Sequence, residues 1–270
     1  MAAIKICLIN QKGGCGKSSA CLHLSGAFAS FGLSVLLIDA DPQGSLSQAF
    51  FGSDVSERLP ASETLTALFD ESCFFLDPSE IIRPTAVENI SLVPANHLLA
   101  KYNAPEPEEG GIVQFVLREF LNSQTAFDIV LIDCPPNLYQ CSWNAMIAAN
   151  YVLIPVPPED FGTQGLPSVH QAIENARKLN PSLRRLGHFI SRLDKRLLVH
   201  RTYEARLRTL YPELVLTTTI PEVSAYKVAV SCHQPVETLS SKSAAAKAMR
   251  DLAAEILARI EGRNKLRSFG

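Results

Sequence analysis

One glycine-rich segment carries side chains that could act on a charged substrate. It runs Lys12-Gly-Gly-Cys-Gly-Lys-Ser18 and follows an apolar stretch. Glycines leave their backbone amides open to a polyphosphate, and a helix N-terminus after the loop would point further N–H groups at the same anion. Lys17 would reach the β- and γ-phosphates, and the Ser18 hydroxyl would coordinate Mg²⁺. The segment predicts a phosphate-binding loop; the alternative is a glycine turn before a helix.

Two further segments place carboxylates after apolar runs. Asp39 and Asp41 close the stretch Leu36-Leu-Ile-Asp-Ala-Asp-Pro-Gln-Gly44. Asp133 closes Phe127-Asp-Ile-Val-Leu-Ile-Asp-Cys-Pro-Pro136. Doubly wound sheets bind ligands at the carboxyl ends of their parallel strands, so these carboxylates should lie near the phosphates. Asp133 is predicted to hold Mg²⁺ through water, because hard oxygen ligands suit this ion. A helix N-cap is the alternative for the other two.

The elements that must position these groups follow from hydrophobic periodicity. Short apolar, β-branched runs alternate with helical patterns, which predicts an α/β fold: a doubly wound, mostly parallel β-sheet flanked by helices. We expect one domain over 1–270. Prolines mark 52–111 as an irregular elaboration. Residues 242–270 are predicted to form a C-terminal helix and basic tail. The predicted strands are 4–9, 34–38, 90–94, 129–132, 151–156, 186–190 and 214–220.

The amino-acid composition excludes several classes of protein. The 270 residues include 25 Lys+Arg against 27 Asp+Glu, and 47% are hydrophobic, which excludes a disordered, collagen-like or coiled-coil chain. Seven scattered cysteines without a Cys-x-x-Cys pair suggest neither a disulfide framework nor a zinc knuckle. No apolar run approaches the roughly 18 residues of a membrane span, and the N-terminal segment does not fit a signal peptide. We therefore expect a cytoplasmic protein.

Charge is unevenly distributed along the chain. Residues 54–133 contain fourteen acidic and four basic residues, a net of −10. Residues 184–211 contain eight basic and two acidic residues, a net of +6, and 242–270 contain seven and three, a net of +4. Any nucleic-acid binding must therefore come from a local basic patch in the last third of the chain.

The lysine that precedes the paired glycines departs from the standard phosphate-loop pattern. With Gln11 in place of its first glycine, the segment Lys12–Ser18 resembles the deviant Walker A motif of the ParA/MinD family of P-loop ATPases. Asp39-Ala-Asp-Pro-Gln-Gly44 resembles the switch I sequence of that family, and Asp133-Cys-Pro-Pro136 resembles its switch II sequence. The stretch 152–166 resembles the strand and loop that follow switch II. The similarity is specific around 4–44 and 127–166 and otherwise consists of strand order.

The resemblance implies an ATPase that uses ATP and Mg²⁺. By that match Lys12 reaches the phosphates of a partner subunit in a nucleotide-sandwich dimer, Asp41 holds the attacking water, and Asp39 supports the loop or the water shell of the metal. The implied catalytic residues are Lys12, Lys17 and Asp41, and the implied metal residues are Ser18, Asp39 and Asp133. The implied ATP-binding residues are Lys12, Gly13, Gly14, Cys15, Gly16, Lys17, Ser18, Ser19, Pro157, Pro158 and Glu159; the last three are base-proximal candidates, with a rigid turn as the alternative.

The resemblance to partition ATPases also implies partners. An ATP-dependent homodimer would bind nonspecific double-stranded DNA, associate with the nucleoid, and respond to a ParB-like adaptor that stimulates slow hydrolysis and so drives plasmid or chromosome partition. Such DNA binding would use phosphate contacts without reading sequence. Solvated helix faces are the alternative for the candidate contacts, which are Arg192, Lys195, Arg196, Arg201, Arg206, Arg208, Lys227, Lys242 and Lys247.

Four other functions can be weighed against the sequence. A MinD-like membrane-associated regulator would need an exposed C-terminal amphipathic helix, but the apolar stripe Leu252, Ile256, Leu257 and Ile260 is short, so a core-packed final helix is expected and membrane binding is not. A positioning ATPase for another cargo would share the same site. An electron-transfer ATPase needs two cluster cysteines per subunit, and only Cys134 lies near a plausible position. A small-molecule kinase or ligase leaves Lys12 unexplained.

Overall fold

A computed structural model describes residues 3–109, 111–159 and 165–267, with side chains except those of residue 109 and of 263–267. Within these residues eight strands form one sheet in the order β3-β4-β2-β5-β1-β6-β7-β8. All neighbouring strands are parallel except the β3–β4 pair. The predicted doubly wound sheet is confirmed. The strands are β1 Ile4–Leu8, β2 Val35–Asp39, β3 Arg83–Pro84, β4 Ile90–Val93, β5 Ile129–Asp133, β6 Tyr151–Val156, β7 Arg184–Leu193 and β8 Val215–Pro221.

Helices cover both faces of this sheet. All residues of β2 and β5 are buried, which explains why neither strand alternates apolar and polar side chains. One apolar core lies under α1 and α10, and the other lies under α4, α5 and α6. The helices are α1 Lys17–Ser30, α2 Ser45–Phe51, α3 Ser53–Ser56, α4 Val116–Ser123, α5 Gln140–Ala148, α6 Leu166–Ala176, α7 Leu198–Leu210, α8 Ser224–Ser231, α9 Val236–Ser240 and α10 Ala244–Arg267.

The stretch between α3 and α4 has little regular structure apart from 3₁₀ turns and two strands. The prediction missed β3, because two residues that include Pro84 give no strand signal; a proline is tolerated there since β3 pairs only with β4, at the sheet edge. The 3₁₀ turns are Ala61–Glu63, Leu65–Leu68, Glu71–Cys73, Pro78–Ile81, His97–Tyr102, Pro107–Glu109 and Gly111–Phe115.

The apolar stripe of the final helix is turned inward. Leu252, Ile256 and Ile260 are buried in the core that α1 shares, and Leu257 packs against it. The stripe is therefore unavailable to a membrane, as expected for a core-packed helix. The tail side chains from Arg263 onward lie outside the described residues. None of the helices in the described part of the chain combines the length and apolarity needed to cross a bilayer.

Two fully buried histidines are held in the neutral form. Burial lowers the pKa of His23 to about 3. Burial, followed by the neighbouring His170 and Arg185, lowers the pKa of His188 to about 3. In the unfolded chain an imidazole takes up its proton near pH 6.5. Stability is therefore fully present above that pH and falls as the pH drops below it, because the unfolded state then binds protons that the folded state does not.

We expect each of these histidines to remove about 1.4 kcal/mol of unfolding free energy between pH 7.5 and pH 5.5. The measurement is urea denaturation at both pH values. His188→Leu, which replaces a ring whose two nitrogens have no hydrogen-bond partner, should lose its share of the pH dependence. His97→Leu at an exposed position is the control. An unchanged pH dependence in His188→Leu would contradict the assignment.

Candidate nucleotide-binding site

Strand register gathers the predicted motifs at one edge of the sheet. Asp133 at the end of β5 pairs with Leu8 at the end of β1 and with Asp39 at the end of β2. The glycine-rich loop that follows β1 therefore begins beside both carboxylates. This is the carboxyl edge of parallel strands, where open α/β sheets bind ligands.

The loop has the backbone of an anion cradle. Gly14 and Gly16 have φ angles of 72° and 94°, in the left-handed region that side chains disfavour. Gly16 precedes α1, whose first turn has no side-chain cap and no acidic residue. The first amides of that helix are therefore left for an anion.

Lys17 is held inside this loop by its own backbone. The buried ammonium donates to the carbonyls of Asn10 at 3.0 Å and Lys12 at 3.3 Å. The Asn10 side chain in turn accepts from the Lys12 amide at 3.0 Å and donates to the Pro155 carbonyl at 2.8 Å. The cation is thus placed beside the cradle by main-chain contacts and not by an ion pair.

Asp133 is a buried carboxylate whose hydrogen-bonding capacity is not used by the described residues. Both carboxylate oxygens are buried and neither accepts a hydrogen bond within the described residues. Burial, with the charge of Asp39, raises the pKa of Asp133 well above its usual range, whereas Ser18 and Lys17 favour the charged form. A buried carboxylate without a partner calls for a cation, so the residues present fit a Mg²⁺ ion held by Ser18 and, through water, by Asp133.

Asp39 instead organises the loop that follows β2. One oxygen accepts from the Ser47 amide at 2.8 Å and hydroxyl at 2.6 Å, and the other accepts from the Asp41 amide at 3.2 Å. Burial raises the pKa of Asp39 to about 7. Of the two roles expected for this residue, the hydrogen bonds support the loop-holding one. The Ser47 hydroxyl extends the network by accepting from the Ala95 amide at 2.9 Å.

Asp41 lies on the wall of the cavity that the phosphate loop opens into. Its carboxylate accepts from the Gln43 amide at 2.9 Å, and burial raises its pKa. Gly44, with φ 61°, turns the chain into α2 so closely that an added Cβ would lie 2.6 Å from the Ala95 carbonyl oxygen. The loop that carries Asp41 is therefore fixed on both sides, by a buried carboxylate and by a position that only glycine fits.

The cavity has a volume of about 640 Å³, within the range of small-molecule sites. Gly13, Gly14, Cys15, Gly16, Lys17, Ser18 and Ser19 line one end, together with Asp41. The other end is apolar and was missed by sequence reasoning; it is lined by Phe189, Ile220, Val223, Tyr226, Val230 and Met249. The available signal was Ile220-Pro221, which closes a strand at the same edge of the sheet.

The base-proximal positions expected from the sequence stay a prediction, and two of them lie outside this lining. Pro157 and Pro158 are not part of it and lie in a separate cleft against Tyr203 and Leu207. The reason is that Val156 and Leu207 belong to the core on one face of the sheet, whereas Phe189 and Ile220 belong to the core on the other face.

Glu159 has a different partner from the one expected. It forms an ion pair with Lys12, at 2.6 Å between the ammonium and a carboxylate oxygen, and this hydrogen bond lowers the pKa of Glu159. The unusual lysine of the loop is thus held by a residue of its own chain. Both side chains are partly exposed, so the pair can open without unfolding the site.

The candidate DNA contacts divide into three groups. Arg192 and Lys227 line the nucleotide cavity and pair with Glu222, and Arg192 also donates to the Gly14 carbonyl at 2.9 Å. Both side chains are exposed, and they lie at the cavity because β7 and β8 end beside the phosphate loop, so their contact with DNA stays a prediction. Arg196, Arg208 and Lys247 form local ion pairs. The remaining candidates are exposed and have no carboxylate within 4 Å among the described residues; they are Lys195, Arg201, Arg206 and Lys242.

Comparison with known proteins agrees with this geometry. A family model described as an AAA domain matches residues 3–185. The chromosome-partitioning ATPase Soj of Thermus thermophilus is 33% identical over 264 residues, which cover 95% of this chain and 96% of the relative. This chain belongs to the ParA/Soj family. The chromosome partitioning protein ParA of Caulobacter vibrioides is 31% identical over 260 residues, which cover 94% of each chain.

A solved structure extends the comparison beyond partition proteins. Cobyrinic acid a,c-diamide synthase from Mycobacterium smegmatis, with bound ADP and magnesium, has a TM-score of 0.78 and 27% sequence identity, with 96% of each chain covered. The ParA/Soj-family fold therefore also occurs in a protein described as a synthase. As a member of the ParA/Soj family, the present chain is a P-loop ATPase of the ParA type.

The network beneath Asp41 gives a testable consequence. Ser47→Ala should lower the free energy of unfolding by about 2 kcal/mol, because it removes a donor to a buried carboxylate and the acceptor of the Ala95 amide. The measurement is urea denaturation at pH 7.5. Ser45→Ala, an exposed serine two residues away, is the control and should change little. Equal effects of the two substitutions would contradict the network.

Proposed function

We propose that this protein is a Mg²⁺-dependent ATPase that dimerises on ATP, binds nonspecific DNA in that state, and drives DNA partition with a ParB-like partner. The observation that carries the proposal is the position of Lys12, a second lysine at the phosphate loop that reaches the rim of the site without entering it. Such a cation has a use when a second subunit brings its own phosphates to it.

ATP is the substrate that fits the cavity. The amides of 13–18 and the ammonium of Lys17 face the phosphate end, and the apolar wall of Phe189 and Ile220 faces the base end. Mg²⁺, when bound, neutralises phosphate charge during transfer. Ser18 and Asp133 would hold it, because the two buried oxygens of that carboxylate accept no hydrogen bond of normal geometry from the described residues. The synthase from Mycobacterium smegmatis, crystallised with ADP and magnesium, supports this assignment.

Hydrolysis would be carried out by residues already in position. Asp41 accepts one amide hydrogen bond and exposes its remaining lone pairs to the cavity, so it can orient a water for attack on the γ-phosphate. Lys17 would stabilise charge on the β- and γ-phosphate oxygens. Lys12 of one protomer would add a second cation to the site of its partner once it leaves Glu159.

Duplex binding would use the exposed basic residues that lack local partners. Lys195 precedes α7, Arg201 and Arg206 lie on it, and Lys242 precedes α10. Pairing two such surfaces in a dimer would double the phosphate contacts, which makes binding depend on nucleotide and strongly on salt. A ParB-like adaptor would then act by stimulating hydrolysis and releasing the duplex.

The decisive experiment measures binding of a nonspecific duplex with no nucleotide, with ADP–Mg²⁺ and with ATP–Mg²⁺ across a salt series. Binding is expected only with ATP and should weaken as salt rises. Asp41→Ala should bind ATP but not hydrolyse it, and so should hold the duplex longer. Fluorescence anisotropy of a labelled duplex gives both readings. No ATP-dependent binding by either protein would reject the partition role and leave the ATPase intact.

A matched pair of variants separates DNA contact from nucleotide contact. The double variant Arg201→Ala/Arg206→Ala should reduce the slope of log K for duplex binding against log salt concentration by about one unit for each phosphate contact removed. It should leave binding of a fluorescent ATP analogue unchanged. Arg192→Ala should weaken binding of the ATP analogue more than binding of the duplex, because Arg192 donates to the Gly14 carbonyl of the phosphate loop. The reverse pattern would contradict the division of the basic residues.

The ion pair between Lys12 and Glu159 predicts a change in dimerisation. Glu159→Gln should lower the ATP concentration needed for dimers by up to about fivefold, since an exposed ion pair is worth at most about 1 kcal/mol. Lys12→Ala should abolish ATP-dependent dimers. Sedimentation velocity across an ATP series measures both, with Glu57→Gln as the surface control. Weaker dimerisation of Glu159→Gln would instead place Glu159 in the contact with the partner.

An ATP-dependent synthase acting on a small molecule is the second candidate. It is favoured by the 27% identity to the cobyrinic acid a,c-diamide synthase. A synthase of this kind would have no use for Lys12 across a dimer. A chain that stays monomeric with ATP–Mg²⁺ and binds no duplex would favour this function over partition.

A further inference from the structure

A second cavity lies in the irregular part of the chain. It has a volume of about 600 Å³ and is enclosed by the 3₁₀ turns of 61–81 on one side and by 112–124, which contains α4, on the other. We call it the acidic groove. Its floor is apolar and includes Ala67, Leu68, Leu76, Ile81, Phe115 and Phe120.

Apolar surface continues from the floor of the acidic groove to the outside. Phe74 and Ile112 line the groove and are 63% and 85% exposed. Phe75, next in sequence to one of them, is 82% exposed. Large apolar side chains scattered singly over a surface are ordinary, but a cluster that adjoins an apolar cavity marks a place where another molecule binds.

The charge around this apolar surface is mainly negative. Residues 61–81 contain five acidic and no basic residues. Asp77 lines the groove, and its hydrogen bonds from Ser79 lower its pKa and keep it ionised. Across the groove Glu119 pairs with Arg118, so 112–124 adds no net charge. Because Arg83 pairs with Glu63, the groove combines an apolar floor with a bordering stretch whose net charge, with this arginine counted, is −4.

We propose that the acidic groove docks a basic, apolar segment of a partner protein, with aromatic or aliphatic side chains on the floor and lysine or arginine side chains against the rim. Charge complementarity selects such a segment, since a like-charged partner would be repelled. A cavity of this volume accepts two or three large side chains, which is the size of the anchor cluster in a peptide interface.

The acidic groove is separate from the nucleotide cavity. The two share no lining residue. The groove is formed by segments that precede β3 and β5, whereas the exposed basic residues Lys195, Arg201 and Arg206 follow β7. A segment in the groove would leave both the nucleotide and the basic edge free, so the protein could hold a partner and a duplex at once.

The test selects peptides without assuming a partner. A displayed library of random 16-residue peptides is panned against the full chain, with counter-selection on Phe74→Ser/Ile112→Ser, and the strongest sequences are synthesised and titrated by fluorescence polarisation. Enriched peptides should carry net positive charge together with aromatic or aliphatic residues. Their affinity should fall at least about tenfold in Phe74→Ser/Ile112→Ser and in Glu71→Lys/Glu80→Lys.

Controls keep the outcome interpretable. Val55→Ser/Glu57→Lys alters an exposed apolar and an acidic residue of the same irregular stretch outside the groove and should leave peptide affinity within about twofold. All variants should bind a fluorescent ATP analogue as the wild type does, which shows that they are folded and separates this test from that of the ATPase.

The proposal is overturned if no sequence is enriched, if enriched peptides are acidic or uncharged, or if the groove variants bind them as tightly as the wild type does. It is also overturned if no peptide binds the protein but phosphatidylcholine vesicles do, and if the Phe74→Ser/Ile112→Ser variant loses that vesicle binding.

Discussion

The site depends on two carboxylates buried side by side at the ends of adjacent parallel strands. Asp39 and Asp133 are register partners, and neither is exposed. Like charges in such a place raise each other's pKa and require compensation. The chain compensates one of them with the amide and hydroxyl of Ser47, whereas the oxygens of the other accept no hydrogen bond of normal geometry from the described residues. That asymmetry gives the two residues separate uses, since one fixes the loop that carries Asp41 and the other is available to a cation.

The phosphate loop is arranged around the same pair. Lys17 brings a positive charge close to the carboxylates while its hydrogen bonds go to main-chain carbonyls, so the charge is not consumed by an ion pair. Lys12 is treated differently, because Glu159 holds it at the rim. One lysine is thus buried and held by main-chain carbonyls, and the other is partly exposed and held by a single ion pair.

The order of the strands separates the remaining surfaces. The acidic, irregular stretch elaborates the edge at β3 and β4, whereas the basic residues follow β7 and β8 at the opposite edge. The nucleotide cavity opens against α1 and α8, and its apolar wall comes from the far third of the chain. The ends of β7 and β8 form part of this cavity.

The sequence by itself determined the fold class, the phosphate loop and the carboxylates at the strand ends. These features are local: glycine spacing, an apolar run and the residue that closes it can be read within about fifteen positions. Tertiary structure alone decided the rest. It placed Phe189 and Ile220 in the lining of the nucleotide cavity and Pro157 and Pro158 elsewhere, because the face toward which a loop turns depends on packing between distant segments. It also placed the exposed side chains of Arg192 and Lys227 at that cavity, because a count of charges along the chain carries no information on which strand ends beside which loop.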